Sequence, residues 1–85
     1  MTPILAALAV AASTTVEDVP LVEIEKHYWD CDYAVRQTLL DFSDAEHCSR
    51  VFERLKKEKF SGDFHTFLAW WQANKDREYA VRAHR

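Results

Sequence analysis

A chain of 85 residues forms one domain at most, and folding at this size removes only about 60 % of the unfolded surface from water, so its stability margin is thin. Hydrophobic residues make up 48 % of the chain, with three Trp, three Tyr and five Phe, while one glycine and two prolines are too few for the turns of a sandwich or barrel. That composition points to an all-α fold, and a net charge of -3 gives no broad attraction to nucleic acid or anionic lipid, so nucleic acid is not expected as a partner.

Residues 1–13, Met-Thr-Pro-Ile-Leu-Ala-Ala-Leu-Ala-Val-Ala-Ala-Ser, are an apolar run closing on small side chains, and Ala9-Val10-Ala11 has the A-x-A form of a signal-peptidase site. The run falls short of the roughly 20 apolar residues that cross a bilayer, so no stable membrane span is expected. It reads as the signal-like segment of a periplasmic or secreted protein. No Lys or Arg precedes Lys26, which favours the opposite reading, an apolar N-terminal helix of a cytoplasmic protein. Residues 14–19 carry Glu17 and Asp18 without a helical period and read as a linker, leaving 20–85 as the helical domain.

Pro20 suits the first turn of a helix over 20–37. Leu21, Ile24, Tyr28, Cys31 and Val35 fall on one stripe of that helix, and Val22, Trp29 and Tyr33 form a second. Two apolar stripes require two neighbours, which makes this helix the expected centre of a three-helix domain. Ser43-Asp44-Ala45-Glu46 has the form of a capping box and opens a second helix over 44–60, with Ala45, Cys48, Val51, Phe52 and Leu55 facing inward. Gly62 is its expected left-handed stop, and Asp63 the cap of a third helix over 63–80 that buries Phe64, Phe67, Leu68 and Trp71. Beyond Lys75 that helix either frays or is held by Tyr79 and Val81.

Cys31 and Cys48 lie on core-facing stripes of neighbouring helices, and a disulfide between them needs Cα atoms about 4.4 to 6.8 Å apart. Were the first helix to run on to Asp41, Cys31 would sit about 9 Å further from the turn than Cys48 at the helical rise. A bond therefore requires the first helix to end near Arg36 or Gln37, with Thr38 to Phe42 as a loop tucking Leu39, Leu40 or Phe42 under the core. The competing reading of the same residues is a metal site from His27, Cys31 and Cys48, since His27 and Cys31 share a helix face at i,i+4. Against it, the paired C-x-x-C of zinc ribbons is absent, and no cofactor is expected.

Arg50, Arg54 and Lys57 line one face of the second helix, where Glu46, Glu53 and Glu58 at i,i+4 predict ion pairs in water rather than a phosphate site. His65 near Asp63 and His47 near Asp44 are the only neighbouring imidazoles and carboxylates, and each reads as a helix start. With no nucleophile beside a base, no paired acids and no glycine-rich loop, the chain is not expected to be an enzyme. Trp70 cannot share the direction of Trp71. With Trp29 and Tyr33 it either forms the candidate interaction surface, where the expected partner is another protein, or packs under a loop or the C-terminal tail.

In overall organisation, and in the aromatic-x-Cys of Trp29-Asp30-Cys31, the chain is similar to the periplasmic acid-stress chaperones. The likeness covers three residues and an architecture. It implies a domain that loosens in acid and then holds client proteins.

Overall fold

The computed structural model describes residues 16–84, so the signal-like segment 1–13 lies outside it. A 3-10 turn (Val16–Asp18) leads into three helices, α1 (Leu21–Gln37), α2 (Phe42–Phe60) and α3 (Phe64–Ala83), with no strand among the described residues. The expected linker is partly structural: Val16 is buried, and its carbonyl accepts a hydrogen bond from the guanidinium of Arg54.

Pro20 sits just before α1, and its carbonyl accepts from the N–H groups of Glu23 and Ile24 at 2.9 and 3.0 Å. The helix ends at Gln37, as the disulfide requires. The start of α2 differs from expectation. Asp41 caps it, its carboxylate accepting from the N–H of Asp44 at 2.8 Å, while Ser43 lies inside the helix and Glu46 pairs with Arg50 at 3.4 Å. Asp caps a helix as well as Ser does. Beginning at Phe42 also puts Cys48 as far after the turn as Cys31 stands before it, and this levels the two sulfurs.

At the other end of α2, Ser61 (φ 53°) and Gly62 (φ 79°) are both left-handed, and the N–H groups of both converge on the carbonyl of Lys56. Only Gly takes that conformation without steric penalty, which explains the lone glycine of the chain. Asp63 caps α3 as expected, accepting from the N–H of His65 at 3.0 Å and from the Thr66 hydroxyl at 2.7 Å.

Ile24, Tyr28 and Trp29 of α1, Val51, Leu55 and Phe60 of α2, and Phe67 of α3 form the core. Each helix packs against the other two, so α1 shares the central place with α2. The outer part of the expected stripes is solvated, since Val22, Val35 and Phe64 are exposed. Helix α3 does not fray after Lys75. Arg82, not Val81, anchors its last turns: the guanidinium is buried and donates to Asp30 and Glu78, both at 2.8 Å, and to the carbonyl of Lys26.

Candidate functional site

The chain concentrates exposed apolar side chains at the end where α1 turns into α2. Cys31 and Cys48 are joined there by a disulfide (S–S 2.14 Å, Cα–Cα 5.7 Å), which fixes the last turns of α1 to the first turns of α2. Of Leu39, Leu40 and Phe42, one of which is expected from the sequence to tuck inward, Leu40 is the half-buried one, and it lines the grooves on this end rather than the core. Leu39 is 96 % exposed and Phe42 83 % exposed, beside Val35 at 58 %. The loop between Gln37 and Phe42 is too short to turn more than one of its large side chains inward.

At this end of the hairpin runs a groove of about 320 Å³, walled by Tyr28, Cys31, Val35, Leu40, Ala45 and Phe52, with Asp32 and Ser49 as its polar members. Leu40 and the disulfide form a ridge. Across it a smaller depression of about 210 Å³ is bordered by His27, Asp44 and His47.

Asp32 belongs to the wall of this groove and to the lock between α1 and α3. Its carboxylate accepts from the Trp71 indole at 3.1 Å and from the Tyr79 hydroxyl. The Arg36 guanidinium lies 3.9 Å from it, donates to the Tyr79 oxygen, and covers the rings of Trp71 and Tyr79 at 5.6 and 5.1 Å. Burial, with the Asp32 charge second, pushes the Tyr28 hydroxyl far above the ordinary phenol range. Tyr79 is raised for the same first reason, followed by its hydrogen bond to Asp32. At the α3 start the Thr66 hydroxyl, then the His65 N–H, hold the Asp63 carboxyl below its usual range.

The aromatic residues singled out in the sequence pack under the C-terminal part of the chain rather than standing open. Trp29 is only 3 % exposed, its ring 5.2 Å from those of both Tyr28 and Trp70. Trp70 also packs on Phe60 at 5.3 Å, and Tyr33 is half-buried against Tyr79 at 5.9 Å. The three do not make an open patch, because α3 continues to Ala83 and covers the second stripe of α1. Of the two tryptophans in α3, Trp70 stacks on the core aromatics, and Trp71 lies at their polar edge under Arg36 and Lys75. What sequence reasoning missed is the pair Leu39 and Phe42. Their signal was available in part: neither belongs to a helical stripe.

His27 and His47 meet edge-on with ring centroids 6.0 Å apart beside the disulfide. With both sulfurs in that bond, Cys31 and Cys48 supply no thiolate, and no group of three His, Cys, Asp or Glu among the described residues is placed to hold a metal ion. On the basic strip, Glu46–Arg50 and Arg54–Glu58 (3.0 Å) pair as expected, but Glu53 pairs with Lys56 rather than Lys57. Arg54 is not a solvated cation, since it also holds the carbonyl of Val16. Among the described residues no helix is long and apolar enough to cross a membrane. Comparison with protein-family models, with curated proteins and with solved structures finds no match for this chain.

Proposed function

We propose that this chain is a small exported, disulfide-stapled module that works by binding another protein through the apolar end of its α1–α2 hairpin. One observation carries the reading: Leu39 and Phe42 are almost fully exposed on a hairpin end that the Cys31–Cys48 bond holds rigid. Scattered exposed apolar residues are ordinary. Several large ones around a groove mark an interaction surface, and rigidity lowers the entropy lost on binding. Export is supported by the disulfide, which persists in oxidising compartments.

The test places a photo-crosslinking side chain at position 39 and, as a control, at Asp76, a solvated residue of α3. The reading expects a discrete protein adduct from position 39, lost when excess unlabelled chain competes but retained when the competitor carries Phe42→Ser. Equal adducts from both positions, or none from position 39, reject it.

A second reading, an acid-responsive chaperone, rests on the carboxylates Asp30 and Asp32 that tie α3 to α1. Loss of those ties in strong acid would loosen α3 and bare the aromatic core. That reading requires the acidified chain to suppress aggregation of an unfolded client, and a chain that unfolds without doing so excludes it.

A further inference from the structure

Resting on the module reading above, we infer that the partner presents an apolar helical anchor flanked by basic side chains. The apolar part follows from the groove, walled by Tyr28, Val35, Leu40, Ala45 and Phe52, and from Leu39 and Phe42, which stand exposed on the same hairpin end. An apolar groove between two packed helices is the kind of surface that takes the ridge of side chains a third helix carries at i, i+3, i+4 and i+7.

The basic flank follows from the charges around that hairpin end. Asp32 is matched by Arg36, and Glu46 by Arg50. Asp41 and Asp44 enter no ion pair among the described residues, and they are the N-cap and a first-turn residue of α2, the helix that opens at the exposed Phe42. The α2 dipole offsets only about half of one charge at that terminus. Two carboxylates therefore leave the rim acidic.

Asp44 stands on the far side of the ridge made by Leu40 and the disulfide, bordering the smaller depression. A Lys or Arg one turn from an apolar anchor in the main groove would reach over that ridge, its alkyl stem lying on Leu40. A second copy of the chain fits less well, because it would bring the same two uncompensated carboxylates to the junction.

The probes are two synthetic amphipathic helical peptides with an identical leucine stripe, flanked by Lys in one and by Glu in the other, titrated against the oxidised full chain by fluorescence anisotropy. The Lys-flanked peptide is expected to bind about tenfold more tightly at low salt, as two favourable rim pairs replace two unfavourable ones. Asp41→Asn with Asp44→Asn should remove that difference while keeping the α2 cap, because Asn caps as well as Asp. High salt should remove it in the same way. Leu39→Ser with Phe42→Ser should abolish binding of both peptides.

Equal binding of the two peptides overturns the basic flank while leaving the module reading in place. So does a difference that survives the double Asn variant. Binding of neither peptide overturns the helical anchor, with the crosslinking experiment still deciding the module reading by itself. Sedimentation that shows a dimer dissolved by Phe42→Ser assigns the face to a second copy and overturns the inference.

Discussion

The Asp32 carboxylate on α1 accepts the indole N–H of Trp71 on α3 at 3.1 Å, across 39 positions of sequence. The same oxygen takes the Tyr79 hydroxyl, and Arg36 closes the set from outside. Asp32→Asn keeps the size of the side chain but removes the charge that makes these bonds strong. A loss of about 1 to 2 kcal/mol is expected in urea denaturation, since hydrogen bonds to a charged group contribute about 1.5 to 3 kcal/mol. Hydrogen exchange should show the loss in the second half of α3 first.

The Cys31–Cys48 bond closes a segment with a sequence separation of 17. Loop entropy assigns such a link about 3 kcal/mol. Single domains of this size have little more than about 3 to 5 kcal/mol from their core, so Cys31→Ser with Cys48→Ser should leave a chain that is partly unfolded at room temperature. Circular dichroism of the oxidised and reduced wild-type chain checks this, the reduced form melting well below the oxidised one.

Arg82 is 8 % exposed, and its guanidinium serves two carboxylates and two carbonyls. Arg82→Met keeps much of the packing and removes the cation. Asp30 is about half solvated and relaxes into water, whereas Glu78 is more enclosed, so the expected cost is about 2 kcal/mol rather than that of a fully buried pair. Val81→Ser one position earlier should cost less than about 0.5 kcal/mol, because Val81 is exposed.

Alkaline pH should destabilise the chain through Tyr28 and Tyr79. Both phenols are held neutral beyond their ordinary range in the fold, by burial first and by Asp32 next. Below about pH 10 both folded and unfolded chains keep these protons, and the contribution is fully present. Above it the unfolded chain gives them up while the fold retains them, so stability falls as pH rises. Urea midpoints should drop above about pH 10, and Tyr28→Phe should flatten that dependence. Asp63 acts in the opposite window: its depressed carboxyl supports the fold at neutral pH and ceases to as pH falls through the carboxylate range.

Leu39 and Phe42 contribute to no core contact, so Leu39→Ser and Phe42→Ser should each change stability by less than about 0.5 kcal/mol. Their effect belongs to binding, where the pair should remove nearly all affinity for an apolar partner. A large loss of stability in either variant would show that these side chains serve the fold instead.

The local code of this chain was legible. Apolar stripes of 3.6 period marked three helices, Asp63 and Gly62 marked their boundary, and the need to level Cys31 with Cys48 put the end of α1 near Arg36 or Gln37, the latter being where it falls. Each of these depends on residues within a few turns, or on one covalent bond of known reach. Only tertiary structure decided that Trp70 rather than Trp71 stacks on the core aromatics, that Trp29 is covered, that Arg82 anchors the last turn of α3, and that Leu39 and Phe42 stay in solvent. These turn on the rotation of each helix about its own axis, where a shift of one position swings a side chain by about 100°. That rotation is set by pairs such as Asp32 with Trp71 and Asp30 with Arg82, 39 and 52 positions apart, which no local pattern brings together.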